Sequence, residues 1–274
     1  MPATPSFIGP EVPPLQPGDP PFALLIDYDG TIALTDVADT VMAECVTGEW
    51  EEEAAKYDAG LIGSRRLMTR EMELLRAEPA ALYATAAAQP HDPSFVPFVE
   101  RARALGIPVE VVSDGFGFYI APALQHLGVG WIPVSAARTT FADGGATIEY
   151  PNGHPTCFVC GTCKRNRVLA HRAAGRRVIF IGDGESDRYA AGYADVVFAK
   201  RSLVHICVDS GWPFHRWTEF AEIDGWFGQT LDAWRADGSL PPPVDRAFFC
   251  GPEVWGEGHW DPPAATHGEG LAPG

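Results

Sequence analysis

The sequence lacks several features that would place it in a membrane, on nucleic acid or outside the cell. No apolar run approaches the roughly 20 residues that a membrane-spanning helix needs. Basic residues are few, with 20 Lys and Arg against 36 Asp and Glu, and the resulting net charge of −16 would repel a polyanion. No basic stretch precedes an apolar segment at the N-terminus, so no signal peptide is predicted. We therefore expect a cytoplasmic protein with no nucleic-acid or membrane partner.

Cysteine is also scarce, with six residues in a chain of 274. Without an export signal, reduced thiols are the expected state. One string is unusual, because His154, Cys157, Cys160 and Cys163 follow one another at intervals of three. These four soft ligands could hold a structural Zn²⁺ ion, form a disulfide or redox pair, or remain reduced. Three equal spacings would strain one short zinc loop, which favours the reduced state.

Four short apolar segments predict buried strands of a parallel sheet. They are FALLI (22–26), IPVEVVS (107–113), RRVIFIG (176–182) and ADVVFA (194–199). Each is mostly β-branched or aromatic and ends in a turn, which is typical of strands covered on both faces. Helical patterns lie between them, such as DPSFVPFVERARALG, which stops at Gly106. Strands that alternate with helices predict a doubly wound α/β fold with a Rossmann-like core.

Two segments interrupt this alternation. Residues 36–90 contain no strand-like run and predict an inserted helical cap, whereas TTFADGGATIEY, residues 139–150, predicts a hairpin around Asp143-Gly144-Gly145. The expected organisation is a flexible Pro-rich arm at 1–20, a core at 21–35 and 91–235, the cap at 36–90, and a Gly/Pro-rich tail at 236–274. Trp255 and Trp260 could pin part of that tail to the body.

Polar, glycine-containing turns end three of the predicted strands. They are Asp27-Tyr28-Asp29-Gly30-Thr31, Ser113-Asp114-Gly115 and Gly182-Asp183-Gly184-Glu185-Ser186-Asp187, and Lys164 opens the helix before the third strand. Ligands of open α/β sheets bind at the carboxyl ends of strands, so we expect these groups to converge. Such a set suits phosphoryl transfer, which depends on positioning and on electrostatic stabilisation. Clustered carboxylates alone would repel a phosphate group. They can assist phosphoryl transfer if they hold Mg²⁺, a hard cation that prefers oxygen ligands.

Each residue type in this set has a possible chemical role. One carboxylate can attack phosphorus to give an aspartyl-phosphate, and its neighbour two residues on can protonate the leaving oxygen and then activate water. Ser113 and the N–H groups that follow it can bind phosphate oxygens. The Lys164 ammonium can neutralise part of the negative charge of the phosphate and of the nucleophilic carboxylate. Lys200, which follows the last strand, competes for this role, but the position of Lys164 directly before a helix favours Lys164.

Together these four motifs resemble those of the haloacid dehalogenase (HAD) superfamily. Asp27-x-Asp29-Gly30-Thr31, Ser113-Asp114-Gly115, Lys164 and Gly182-Asp183-Gly184-x-Ser186-Asp187 occur in the family's order, and the resemblance covers roughly residues 22–224. An aspartate two positions after the nucleophile is typical of the phosphatases and phosphomutases of the superfamily. A helical insertion after the first motif resembles the phosphoserine-phosphatase-like branch. The strings SDGFGFYI, CGTCK and GDGESD resemble the subgroup that contains 2-hydroxy-3-keto-5-methylthiopentenyl-1-phosphate phosphatase and the phosphoethanolamine/phosphocholine and pyridoxal phosphate phosphatases, and substrate differs freely within that subgroup.

The resemblance implies catalytic and phosphate-binding roles for the matching residues. Asp27 would be the nucleophile and Asp29 the general acid/base. Phosphate would be bound by the turn and the lysine together, that is, by Ser113, Asp114, Gly115 and Lys164. Phe116 and Tyr119 follow this turn directly, and the sequence leaves open whether they contact substrate or pack in the core.

The resemblance also implies a magnesium site. Its ligands would be Asp27, the backbone carbonyl of Asp29, and Asp183, with Asp187 near the metal directly or through water. The residue before Asp187 is often Asn in this family and is Ser186 here, so the role of Ser186 is open. In the cap, a basic cluster could reach a substrate carboxylate or phosphate, or could face solvent; it consists of Arg65, Arg66 and Arg70.

These observations predict a Mg²⁺-dependent phosphatase that hydrolyses a small phosphorylated metabolite through an aspartyl-phosphate. Two alternatives stay open. A phosphotransferase or phosphomutase of the same fold would pass the phosphoryl group to a second substrate rather than to water. A catalytically silent HAD-like binding module would lack turnover, although the intact set of motif residues argues against it. The sequence does not determine the oligomeric state, for which a homodimer is one option.

Overall fold

The computed structural model describes residues 9–46, 50–142, 145–155, 157–246 and 250. Several predicted features lie outside the described residues. They are the first eight residues of the arm, the Asp143-Gly144 tip of the hairpin, and the tail segment that carries Trp255 and Trp260. Within the described residues, no helix is both long enough and apolar enough to cross a membrane.

A seven-stranded sheet forms the centre of the described structure. Its strands are β1 (Phe22–Ile26), β2 (Val109–Phe116), β3 (Val134–Ala142), β4 (Gly145–Glu149), β5 (Arg177–Gly182), β6 (Val196–Ala199) and β7 (His215–Arg216). The spatial order is β4-β3-β2-β1-β5-β6-β7, and every neighbouring pair is parallel except β3 and β4. The expected doubly wound α/β fold is confirmed.

Ten α-helices accompany the sheet among the described residues. They are α1 (Val37–Cys45), α2 (Trp50–Asp58), α3 (Ser64–Leu74), α4 (Pro79–Ala87), α5 (Phe95–Ala104), α6 (Gly117–His126), α7 (Lys164–Ala173), α8 (Arg188–Ala191), α9 (Arg201–Asp209) and α10 (Phe220–Asp237). Helices α5, α6 and α7 stop close to Gly106, Gly128 and Gly175, each with positive φ, and the first of these ends is the one that the sequence predicts.

Strand β1 lies at the middle of the sheet and is fully buried. Because successive side chains of a strand point to opposite faces, Phe22, Leu24 and Ile26 join one apolar cluster while Ala23 and Leu25 join the other. The chain runs from β1 to β2 on one side and later returns to β5 on the other side. The strand order therefore reverses at β1, and the crevice that ligands use in such folds lies at its carboxyl end.

Helices α1–α4, which we call the helical insertion, leave and rejoin the sheet through two chain segments that run side by side. Ala33 and His91 form an antiparallel bridge. The Leu34 N–H donates to the Pro90 carbonyl at 2.8 Å, and the Asp92 N–H donates to the Ile32 carbonyl at 3.0 Å. This paired connection lies six residues after Asp27, so it places the insertion next to the carboxyl end of β1.

Strand β3 and strand β7 differ from the sequence prediction. The predicted hairpin at 139–150 is present, but β3 already begins at Val134 and pairs in parallel with β2 before it turns back along β4. Its buried start, VSAA, is short and contains small residues, so it gives no apolar run. Strand β7 has two exposed residues and carries no pattern that a sequence argument could use.

Candidate active site

The loops that follow β1, β2 and β5 meet at one edge of the sheet. Strand β1 pairs with β2 on one side and with β5 on the other, all in parallel, so the three carboxyl ends are adjacent. Each of these ends carries one of the polar turns that the sequence singles out. Helix α7 begins at Lys164 and delivers that side chain to the same point.

The ammonium of Lys164 lies at the centre of this group. Its Nζ is 2.7 Å from Asp27 Oδ1 and 2.6 Å from Asp187 Oδ1, and it also donates to Ser186 Oγ at 3.0 Å. Burial lowers the pKa of Lys164, but the carboxylates of Asp187 and Asp27 outweigh this effect, so the net pKa is raised and the ammonium stays charged. Ser186 is thus a hydrogen-bond partner of the lysine.

Lys200 is held away from these carboxylates. Its Nζ lies 3.9 Å from the centre of the Trp217 ring and makes only a long contact of 3.5 Å with the Thr31 carbonyl. Burial lowers the pKa of Lys200 to about 8. The geometry therefore favours Lys164, as the sequence argument does.

Three buried carboxylates form the cluster that fits a divalent cation. Asp27, Asp183 and Asp187 each bring one oxygen to within 4.8 Å of the others, and this is the one such group of three or more acidic, His or Cys side chains within the described residues. Burial, and then repulsion from Asp187, raise the pKa of Asp27 and raise that of Asp183 to about 7. A hard cation among these oxygens would relieve that repulsion, so the donor set fits Mg²⁺.

The side chain of Asp29 makes contacts outside this cluster. Its Oδ1 accepts from the Val37 N–H at 3.0 Å, and its Oδ2 accepts from the Tyr119 hydroxyl at 2.8 Å. Burial, followed by the nearby Asp36 carboxylate, raises the pKa of Asp29 well above its usual value, so the group favours its protonated form. Metal binding through the Asp29 backbone carbonyl stays a prediction. Tyr119 is 2% exposed and packs in the apolar core, while its hydroxyl contacts Asp29.

Glycine is required at two positions around these carboxylates. Gly30 has a φ of +68°, and a Cβ there would collide with the carboxylate of Asp183 and the guanidinium of Arg201. A Cβ at Gly115 would collide with Asp29 and Tyr119. Both glycines therefore let the backbone approach the carboxylates closely.

Ser113 and Asp114 make different contacts, although they are adjacent in the phosphate-binding turn that the sequence predicts. Ser113 is buried, and its hydroxyl accepts from the Gly115 N–H at 2.9 Å. The Asp114 carboxylate accepts from the Ser64 hydroxyl of the helical insertion and, at 2.7 Å, from the Thr162 N–H. Both oxygens of Asp114 are thus engaged, and its side chain connects the insertion to the loop before Lys164 instead of facing an anion.

A cavity of about 280 Å³ opens above these turns, between the sheet and the helical insertion. Asp27, Asp29, Ser113 and Gly115 line its floor. The basic cluster of the insertion does not line it: Arg65 lies over the rings of Tyr150 and Phe158, Arg66 faces Glu53, and Arg70 pairs with Glu73. The structure thus gives no support to the idea that this cluster reaches a substrate.

The His/Cys string does not form a zinc site in the described structure. His154, Cys157, Cys160 and Cys163 line one small cavity together with Cys250, but no three of these described residues bring their ligand atoms within 4.8 Å of one another. Burial raises the pKa of the thiols, to about 11 for Cys163, which disfavours the thiolate that a metal needs. All six cysteines are free thiols.

A family model described as haloacid dehalogenase-like hydrolase matches residues 24–192, which is more than half of the chain. The matched region runs from β1 to the end of α8 and contains all four motifs. The chain belongs to the haloacid dehalogenase-like hydrolase family. The expected family and enzyme class are therefore confirmed.

The curated relatives of this hydrolase extend over most of its described core. A 2-hydroxy-3-keto-5-methylthiopentenyl-1-phosphate phosphatase from Bacillus pumilus is 24% identical over 207 residues, which cover 74% of this chain and 89% of the relative. A protein of the same name from Geobacillus thermodenitrificans is 30% identical over 212 residues, covering 73% of this chain and 92% of the relative.

Solved structures resemble the hydrolase in fold. A phospho-aspartyl intermediate analogue of phosphoserine phosphatase superposes with a TM-score of 0.59 at 17% identity, covering 76% of this chain and 99% of that chain. Phosphoserine phosphatase from T. onnurineus gives a TM-score of 0.56 at 18% identity, covering 77% and 96%. At this identity the likeness shows the fold alone and carries no argument about substrate.

Proposed function

We propose that the protein is a Mg²⁺-dependent phosphomonoesterase that acts on a small phosphorylated metabolite through an aspartyl-phosphate. The observation that carries this proposal is the pairing of Lys164 with Asp27 in a buried site whose second carboxyl group, Asp29, is held separately by Tyr119. The names of the curated relatives, which are phosphatases, support it.

Asp27 is the nucleophile in this proposal. One of its carboxylate oxygens attacks phosphorus while the bond from phosphorus to the leaving oxygen breaks. Lys164 and the N–H groups of the turn at Ser113 stabilise the charge on the phosphoryl oxygens. Asp27, Asp183 and Asp187 would hold Mg²⁺, which would neutralise part of the charge that develops on the phosphoryl group.

Asp29 is the general acid and general base in this proposal. Burial raises its pKa, which favours the protonated form that can give a proton to the leaving alcohol. In the second half of the reaction it takes a proton from the water that attacks the aspartyl-phosphate, and inorganic phosphate leaves. Tyr119 fixes the orientation of this carboxyl group. The helical insertion acts as a cap and limits the entry of bulk water.

The first test is phosphate release from an activated aryl phosphate, with Mg²⁺ and with EDTA. We expect release that needs Mg²⁺ and that Asp27→Asn lowers by at least about 1,000-fold. Asp209→Asn, at an exposed position on α9, is the matched control and should retain full activity. Equal activity in Asp27→Asn and the wild type would overturn the nucleophile assignment.

Added methanol tests the covalent intermediate. If both phosphate and methyl phosphate arise from one aspartyl-phosphate, their ratio should be the same for substrates with different leaving groups. A ratio that varies with the leaving group would argue for direct attack by water. Transfer to an acceptor without hydrolysis in water would instead identify a phosphotransferase.

A further inference from the structure

Glu110 places a charged side chain near the start of β2, a strand that is otherwise mostly apolar. The residue is buried, and the proposed reaction makes no use of it. Because side chains alternate along a strand, Glu110 shares a face of the sheet with Val112, which belongs to the same apolar cluster as Val168 of α7. Glu110 therefore lies on the side of the sheet that α7 covers.

Two side chains of α7 hold this carboxylate. Arg167 donates from Nε to Oε1 at 2.7 Å and from Nη2 to Oε2 at 2.9 Å, which makes a bidentate pair. The Nε2 atom of His171 lies 3.0 Å from Oε2, and the Ser135 hydroxyl donates to Oε1 at 2.7 Å. All four residues are buried, and we call them the Glu110 network. Burial raises the pKa of Glu110, but the hydrogen bonds from His171 and Arg167 outweigh this effect, so the net pKa is lowered and the carboxylate stays charged.

The same face of α7 carries this network and the lysine of the active site. Lys164, Arg167 and His171 are three and then four residues apart, which is the spacing of one helix face. At about 1.5 Å per residue, Arg167 lies roughly 4.5 Å and His171 roughly 10 Å along the axis from Lys164. Because a helix is stiff, contacts at these two points fix its rotation and its position along β2.

Stability alone gives little reason for such a network. Burying two charges costs several kcal/mol, and replacing a buried ion pair by apolar groups of similar volume is often neutral or stabilising. The Nδ1 atom of His171 is also buried without a hydrogen-bond partner within the described residues, which adds to this cost. A bidentate pair does, however, accept only a narrow range of orientations, so it can define where α7 lies.

The proposed chemistry requires such a defined position. The Lys164 ammonium is a point charge on a flexible stem, and it lies 2.7 Å from Asp27 and 2.6 Å from Asp187. A displacement of about 1 Å that is caused far from the reacting atoms can lower a rate by roughly 100-fold.

We propose that the Glu110 network positions Lys164 by fixing α7 against β2. Arg167 and His171 are then positioning residues that act through the lysine, and neither of them lines the cavity above the motif turns. This inference rests on the proposed function, because that function gives Lys164 its role.

The position of Lys164 can be measured without turnover. Lys56, Lys164 and Lys200 are the three lysines of the chain, so NMR of protein labelled only in its lysine side chains resolves their Cε–Hε signals. Lys164→Met identifies the signal of Lys164. In EDTA, we expect this signal to shift or to split in Arg167→Met, while the signal of Lys56 stays at its wild-type position.

Steady-state kinetics measure the consequence for phosphoryl transfer. At a temperature at which circular dichroism shows Arg167→Met to be folded, kcat on an activated aryl phosphate should fall by at least about 10-fold. KM should change by less than about 3-fold, because Lys164 acts mainly on charge that develops in the transition state.

Arg172→Met is the matched control, since Arg172 also anchors α7 but makes no contact with β2. It donates to the carbonyls of Tyr193 at 3.0 Å and Val244 at 2.7 Å. This variant should lose stability yet keep the Lys164 signal, with kcat within about 3-fold of the wild type. Equal displacement of the signal in Arg172→Met and Arg167→Met would overturn the specific role of the Glu110 network.

Glu110→Leu combined with Arg167→Met separates position from stability. This double variant should be more stable than Arg167→Met, because no buried charge is left without a partner. We expect the displaced Lys164 signal and the low kcat to persist. Return of both to wild-type values would overturn the proposal, since the network would then have a purely structural role. If Arg167→Met does not fold, the near-isosteric Glu110→Gln replaces it, because an amide cannot accept both N–H groups of Arg167, and wild-type values there would overturn the proposal equally.

The two measurements distinguish this inference from the proposed function. A displaced Lys164 signal in Arg167→Met, without phosphate release from the wild type, would support the positioning role and overturn the proposed function. Phosphate release from the wild type with an unchanged signal in the variant would overturn the positioning role alone. An unchanged signal and no release would overturn both.

Discussion

The Lys164 ammonium lies 2.7 Å from the Asp27 carboxylate, although 137 residues separate them in the chain. The same ammonium contacts Asp187, so one buried cation joins the first and last motifs. Both carboxylates are almost completely buried. This arrangement makes Lys164 important for stability as well as for the proposed phosphoryl transfer, since each carboxylate would otherwise repel the other.

Lys164→Met should therefore reduce both turnover and stability. Removing one partner of a buried ion pair typically costs about 3–5 kcal/mol, because the remaining charge is left without compensation. We expect a lower melting temperature in EDTA and partial recovery in Mg²⁺, which thermal unfolding would measure. Arg235→Met, which breaks an exposed pair with Asp232, should change stability by less than about 1 kcal/mol. Unchanged stability of Lys164→Met in EDTA would contradict this account.

Tyr119→Phe should weaken proton transfer to the leaving group. The variant removes the hydroxyl that donates to Asp29 at 2.8 Å while it keeps the ring in place. We expect kcat on alkyl phosphates to fall by roughly 10- to 100-fold and kcat on an activated aryl phosphate to fall much less, because a good leaving group needs little help from an acid. Steady-state kinetics on both substrate types would show this.

Two comparisons support that experiment. Asp29→Asn should show the same pattern with larger losses. Tyr83→Phe, in which the half-exposed ring contacts Phe118 and Phe141, should keep wild-type kinetics on both substrate types. Equal losses on alkyl and aryl phosphates in Tyr119→Phe would mean that the hydroxyl acts elsewhere.

Ser64→Ala should loosen the contact between the helical insertion and the second motif. The Ser64 hydroxyl donates to the half-buried Asp114 carboxylate, and a hydrogen bond to a charged group contributes about 1.5–3 kcal/mol. We expect a loss of stability of this size by urea denaturation, and Ser210→Ala, at an exposed position after α9, should show none. A wild-type midpoint for Ser64→Ala would show that this contact contributes nothing to stability.

Arg201 combines an ion pair with an unfavourable backbone. It is the one non-glycine residue with positive φ, at +47°, within the described part of the chain, and its guanidinium pairs with Asp183. Arg201→Ala and Arg201→Gly both remove the pair, but only Gly tolerates this φ without a penalty of about 1 kcal/mol or more. We therefore expect Gly to be the more stable variant in urea denaturation with EDTA. The opposite order would show that the backbone relaxes once the pair is lost.

The sequence predicts correctly the strands whose apolar composition indicates burial on both faces. FALLI and RRVIFIG give β1 and β5 to within one residue, and parallel pairing then brings their polar carboxyl ends together. The sequence indicates β3 only from residue 139, because its start, VSAA, consists mostly of small residues and forms no apolar run.

The finer features of the site depend on tertiary contacts that lie far apart in the chain. Tyr119 reaches Asp29 across 90 residues, and Asp114 turns to Ser64 across 50 residues, so neither orientation follows from a local pattern. Glu71 lies beside Met72 on α3. The spacing of the apolar residues indicates that this helix has a buried face, but it does not indicate that Glu71 is buried there too. Spacing predicts a helix face, whereas only packing determines what that face meets.

The pH dependence of stability tests whether the pKa of Glu71 is raised in the folded protein. Its pKa is raised from 4.5 to about 8 in the folded protein, so between these values the folded state binds more protons than the unfolded state. Stability attributable to this group must then fall as pH rises through that window. Because Gln does not titrate, the melting temperature of Glu71→Gln should rise relative to the wild type between pH 5 and pH 9. Glu73→Gln should show a constant difference, and a constant difference for Glu71→Gln would mean that Glu71 is charged throughout and already has a partner in solution.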